Sequence, residues 1–240
     1  MRLSGLVLLA VAGVAGCGHV DSSDVATDKM RAELELRSWD DGSAAMGLSL
    51  KARRPWRKWV FLSGDDALTA NFRGEDVAMR EEVVGKKHTY VAWFADVQSG
   101  EPITVSLSRG DGDDALSSTA ELPPAMDMFV PDTDIDLGWD GIDVQWWPPS
   151  EDLNDQMTLD ITGSCISNVH RRLDDTGSYF LPPGALNPSD EESPDSCFVE
   201  LELRRERTGS LSDTFRGGEA MGVQIRQSSL WINAWTYSTF

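Results

Sequence analysis

Apolar residues alternate with polar ones along most of this chain, and that period of two constrains its fold more than any other feature. Successive side chains of a β-strand point to opposite faces, so alternation marks a strand with one face buried and one wet. Ala32, Leu34 and Leu36 form one such set, and Met46, Leu48 and Leu50 the next. Ile103, Val105 and Leu107 alternate with Thr104, Ser106 and Ser108, and Thr89 to Phe94 is rich in β-formers. In the second half, Ile142, Val144 and Trp146 share a face, as do Met157, Leu159 and Ile161, and then Cys197, Val199, Leu201 and Leu203. Turn signals such as Asp41-Gly42, Ser63-Gly64-Asp65-Asp66 and Gly110-Asp111-Gly112 fall between the runs. Short strands at this spacing predict an all-β protein built from immunoglobulin-like or fibronectin-III-like sandwiches. The antibody order Cys, Trp, Cys is absent, because Trp146 and Trp147 precede both Cys165 and Cys197.

Leu122-Pro123-Pro124 interrupts the pattern, and the charge changes there too. Residues 17–123 hold 13 basic and 19 acidic side chains; residues 124–240 hold 7 and 21, with no lysine. This contrast predicts one sandwich over 29–123 and a second over 124–240, each of ordinary domain size. A net charge of −19 repels phosphate backbones and argues against a nucleic-acid partner.

The first residues read as an export signal. Met1-Arg2 is a short charged start, and Leu3 to Val14 is an uncharged apolar run, too short to span a bilayer. It ends in Val14-Ala15-Gly16-Cys17, which resembles the lipobox of bacterial lipoproteins. That resemblance implies a signal peptide over 1–16, cleavage before Cys17, and acyl chains on the Cys17 sulfur as the membrane anchor. Gly18 in place of Asp favours the outer membrane over the inner one by the same analogy. Residues 17–28 are polar and read as a tether. With Cys17 consumed by lipid, an exported chain most simply pairs Cys165 with Cys197. Both fall on core faces by strand parity.

Ile161-Thr162-Gly163-Ser164-Cys165-Ile166, Asp175-Thr176-Gly177-Ser178-Tyr179 and the strand after Cys197 resemble a family of myxobacterial-type lipoproteins. The resemblance implies a lipid anchor and β-sandwich domains, and brings no activity with it.

Sequence motifs for catalysis are missing. His19, His88 and His170 stand in no metal-ligand spacing with one another, and there is no Gly-x-Ser-x-Gly, His-Glu-x-x-His or phosphate-binding glycine loop. Asp132, Asp134 and Asp136 put several hard oxygens along one stretch, the donor set calcium takes, although Leu137 stands where an EF-hand has its turn glycine. No other cofactor is implied. Lys51 to Trp59 is the one basic cluster, suited to anionic headgroups or to the acidic second domain. Among nine tryptophans, Trp147 lies opposite Trp146, and Trp231 and Trp235 lie opposite Leu230, Ile232 and Ala234. Three rings exposed together would form a platform for a glycan or a partner protein. The sequence thus favours a lipid-anchored envelope protein acting as a non-enzymatic structural or binding module. A receptor using the aromatics of the second domain is the alternative, and a hydrolase with a dispersed site is the third reading.

Overall fold

The computed structural model describes residues 19–39, 42–52, 58–84, 87–136, 139–187, 189 and 196–233. These residues form strands and two short 3-10 turns, with no α-helix among them. The first half contains β1 (His19–Asp21), β2 (Met30–Ser38), β3 (Ser43–Ala52), β4 (Trp59–Phe61), β5 (Ala67–Phe72), β6 (Glu75–Ala78), β7 (Arg80–Val84), β8 (Lys87–Ala95), β9 (Pro102–Ser108) and β10 (Ala115–Glu121). The second contains β11 (Asp127–Phe129), β12 (Ile135–Asp136), β13 (Ile142–Trp147), β14 (Asp155–Gly163), β15 (Val169–Leu173), β16 (Ser178–Leu181), β17 (Ser196–Thr208) and β18 (Gly218–Asn233).

One large sheet runs β1-β4-β3-β2-β18-β17-β14-β15, with β8 added to β3, β7 to β8, and β12 to β18. A four-stranded sheet, β10-β9-β5-β6, and a three-stranded sheet, β11-β13-β16, are separate from it. The alternation read from sequence places the core residues. Met30, Ala32, Leu34 and Leu36 of β2 and Met46, Leu48 and Leu50 of β3 join Ile103, Val105 and Leu107 of β9 in a first buried cluster. Ile142, Val144 and Trp146 of β13 join Met157, Leu159, Ile161, Val199, Leu201 and Leu203 in a second. The protein is therefore all-β, with two sandwich cores.

A cut at 123/124 does not separate those cores cleanly. Phe215 and Ala220 belong to the first cluster, although they lie far beyond that point. They are carried back by the long β17–β18 hairpin, whose second strand pairs parallel to β2 over Gly218–Gln224. One continuous sheet therefore roofs both units. Gly222 permits this crossing, since a Cβ there would stand 1.7 Å from the carbonyl oxygen of Glu121.

Residues 19–28, expected as part of a tether, are instead docked on the first unit. β1 pairs parallel to β4, and Ser22 and Thr27 are fully buried. The Ser63 amide donates to Ser22 Oγ (2.9 Å), and the Thr27 amide donates to Asp113 Oδ2 (2.7 Å). Arg109, its side chain only 1% exposed, donates to the carbonyls of Ser22 and Val25, each at 2.8 Å. A polar stretch reads as a linker because it has little apolar area to bury. Here its polar groups find their partners on the body of the protein.

Candidate functional site

The outer face of the large sheet carries a trough in the first unit. Its floor is β3, where Met46, Leu48 and Leu50 point inward and the opposite row is Ser43, Ala45, Gly47 and Ser49. Every residue of that row is small. The walls are β2 and β8: Gly47 is in register with Glu35 on one side and Val91 on the other, and Ala45 with Arg37 and Trp93. The trough is open to solvent along its length and has a volume of about 380 Å³, within the ordinary range for a ligand cleft. A Cβ on Gly47 would come to 3.2 Å from Thr89 Cγ2, so any larger side chain there would enter the channel. At one end Trp39, just after β2, stacks on Trp93, with ring centroids 5.6 Å apart and planes 21° from parallel. Trp93 is 58% exposed, a large ring left open to solvent.

The trough has excess negative charge. Glu33 pairs with Lys51 and Glu35 with Arg37, each at 2.5 Å. Glu82 on β7 receives a long 3.5 Å contact from the Trp93 indole N–H. Among the described residues no cation pairs with Glu82 or with Glu219, which β18 brings beside Glu33. Ser49 Oγ and Thr89 Oγ1 share a 2.9 Å hydrogen bond on the floor. An exposed ring next to unneutralised carboxylates is a setting that attracts organic cations.

The tryptophans singled out in the second domain do not form one platform. Trp147, on the face opposite the buried Trp146, is 67% exposed and shares the outer face of the three-stranded sheet with exposed Phe129 and Phe180. Trp231 is half-buried on β18 of the large sheet, edge-on to Phe198 at 4.8 Å. Parity assigns a side chain to a face of its strand, but not the strand to a sheet. Trp235 lies outside the described residues, as do Cys17 and residues 53–57 of the basic cluster.

Asp132, Asp134 and Asp136 follow one another along the stretch before β13. Among the described residues no three His, Cys, Asp or Glu side chains are grouped to hold an ion. Asp132 and Asp134 are exposed beside Phe198 and Trp231, while Ile135 turns inward. The Asp140 carboxylate accepts the Asp136 amide hydrogen bond at 3.0 Å, so it closes a turn. Cys165 and Cys197 are bonded, their Cα atoms 5.8 Å apart within the second core. His88 and His170 each set Nδ1 2.7 Å from a carboxylate, Glu81 and Asp160. Burial pushes the Asp160 carboxyl up, but hydrogen bonds from Arg204 and His170 outweigh it and hold the group below the usual range.

Two buried arginines escaped the sequence reading, though parity marks both. Arg205 continues the inward phase of Val199, Leu201 and Leu203, and Arg109 that of Val105 and Leu107. Arg205 has a fully buried side chain that donates to Asp175 (2.7 and 3.0 Å), to Pro124 O (2.9 Å) and to Pro148 O (2.7 Å). Trp146 Nε1 donates to the same Asp175 at 2.6 Å. Nearby, Arg207 chelates Asp155 and reaches Glu121 at 3.0 Å, tying the end of β10 to β14. The Arg205 network lies within the second unit, and the Arg207–Glu121 pair crosses to the first.

No protein-family profile matches the chain, and no curated protein matches it. Among solved structures, it is similar to the FN1-FN3 domains of chicken CNTN1 at 11% identity, covering 90% of this chain and 65% of that one, with a TM-score of 0.29. It is also similar to a tetra-tandem repeat from the extending region of a large adhesion protein (16% identity, 85% and 50% covered, TM-score 0.26). A third likeness is to the titin domains z1z2 in complex with telethonin (12% identity, 88% and 98% covered, TM-score 0.25). The chain spans 65% and 50% of the first two chains, less than two thirds of either.

Proposed function

We propose that the protein is a lipid-anchored, non-enzymatic recognition module of the cell envelope, held by Cys17 in the outer membrane, whose trough receives an extended, positively charged segment of a partner protein. The observation that carries this reading is the trough itself, a row of small residues on β3 closed at one end by the Trp39–Trp93 stack. A strand-length channel with a smooth floor suits an extended chain. The exposed indole offers a surface for an apolar stem or a guanidinium. Glu82 and Glu219 lack cationic partners among the described residues, and the net charge of −19 draws cations from a distance.

The experiment is a titration with a fluorescein-labelled octapeptide of alternating lysine and alanine, followed by anisotropy. Binding that weakens as salt rises, and that is lost when glutamate replaces lysine, supports the reading. No binding, or equal binding of the two peptides, overturns it. The anchor is tested separately by the mass of the exported N-terminal peptide. A diacylglyceryl group on Cys17 supports it, and an unmodified cysteine or an uncleaved leader refutes it.

A further inference from the structure

We infer that the lipid holds the folded body directly against the bilayer, with the β1–β4 end of the first unit seated among the headgroups. This rests on the reading of Cys17 as the lipidated residue. A free tether over residues 17–28 would let the body stand off by up to about 40 Å when extended. The docked segment removes that freedom. Only Gly18 separates Cys17 from His19, the first residue of β1, so the anchor lies within about 7 Å of that strand along the chain.

The docking is well secured. β1 is in register with β4, His19 against Trp59 and Asp21 against Phe61. Val20 and Val25 pack on the first core. Arg109 grips the backbone at Ser22 and Val25 from a site that is 1% exposed, and it lies 3.3 Å from the buried Asp66 carboxylate. Pulling the segment away would strand that cation and its acceptors, so the docked state persists under the modest load of an anchor.

The surface brought to the bilayer has the chemistry of an interface. His19 meets the Phe61 ring edge-on at 4.7 Å, and Phe61 meets His88 at 4.0 Å. Trp59 lies beside His19, with the Lys51 ammonium 4.5 Å from its ring and Lys58 next in sequence. Amphipathic aromatic side chains settle at headgroup depth, and lysines favour an anionic surface. The rest of the chain is strongly acidic and is repelled by that surface. Asp21 on β1 is exposed and Lys51 is paired with Glu33, so the short lipid link and the rings, more than net charge, select one orientation.

The test uses the full mature lipoprotein in vesicles of phosphatidylcholine and phosphatidylglycerol containing headgroup-nitroxide lipid. A fluorophore is placed at Lys58→Cys on the inferred contact face, or at Leu153→Cys on a fully exposed loop of the second unit. Several-fold stronger quenching at position 58 than at 153 is the expected result. Inserting a flexible Gly-Ser linker of about ten residues between Gly18 and His19 leaves the fold untouched and adds a mean stand-off of about 17 Å. Quenching at 58 should then fall towards that at 153 while the protein still floats with the vesicles. Equal quenching at the two positions in vesicle-bound protein overturns the inference and leaves the anchor standing. Protein that neither floats nor carries lipid mass on Cys17 overturns both.

Discussion

Replacing Arg205 with methionine keeps an unbranched stem but is shorter, and it removes the guanidinium and its charge from the centre of the second unit. The wild-type guanidinium is fully buried and places its donors on Asp175, Pro124 and Pro148. Its loss leaves the Asp175 carboxylate, 6% exposed, with the Trp146 indole as its remaining side-chain donor. Breaking a buried pair from one side costs about 3–5 kcal/mol, because the surviving charge stays buried without its partner. Each stranded carbonyl adds to that unless water reaches it. Against a total stability of about 5–15 kcal/mol the loss is large. Asp175→Asn alone strands the cation instead, and the double variant removes both charges, so its cost should fall well short of the sum. Urea unfolding of the four proteins, with the disulfide intact and the slope checked for constancy, measures the coupling. An Arg205→Met variant within about 1 kcal/mol of wild type, near the average for any substitution, would refute the assignment of this network as a support of the second core.

Two further outcomes follow from the same geometry. Converting Cys165 and Cys197 together to alanine opens a loop with a sequence separation of 32 residues, and should cost roughly 3–4 kcal/mol on the chain-entropy account; a urea midpoint unmoved by the double change or by reductant would reject it. The Glu101 carboxyl is held below the usual glutamate range, first by its hydrogen bond from Arg73 and then by the Gln98 amide. It should stay ionised further into acid than an unpaired glutamate when followed by NMR, and Arg73→Gln should bring its titration back up. An unchanged titration in that variant would show that the pair does not hold in solution.

Strand parity made much of the fold readable. The inward rows of β2, β3, β9, β13 and β17 sit where alternation put them, and Cys165 and Cys197 meet because both lie on core faces. Parity acts along one strand, however, and says nothing about which strands lie side by side. That is why parity sets Trp147 opposite Trp146 yet cannot tell that Trp231 belongs to another sheet. The parallel pairing of β18 with β2 joins residues nearly 190 positions apart, such as Ala32 and Gly218, and leaves no local signal. The row Ser43, Ala45, Gly47 and Ser49 was visible in sequence as small outward residues. It becomes a trough only when β2 and β8 flank it with Glu35, Arg37, Val91 and Trp93. Arg109 and Arg205 were legible in principle, since a cation at an inward position must find partners, but composition alone makes them look like surface charge.

The most direct test of the recognition reading is peptide affinity in two variants that leave the charge of the protein unchanged. Trp93→Ala removes the exposed ring, and Gly47→Leu fills the channel between Glu35 and Val91. Neither alters the net charge of −19, so any diffuse attraction of the lysine-alanine octapeptide to an acidic surface survives in both. Trp93 is 58% exposed and Gly47 has only the Thr89 methyl in tight contact, so both variants should still fold, with thermal melts recording the cost of the lost Trp39 stack and of the displaced methyl. A ring that anchors the peptide contributes about 2 kcal/mol or more, equivalent to a loss of affinity of roughly 30-fold. The account predicts such a loss in each variant with folding preserved. Wild-type affinity in both well-folded variants would contradict it, because the peptide would then be held by charge alone and not by the trough.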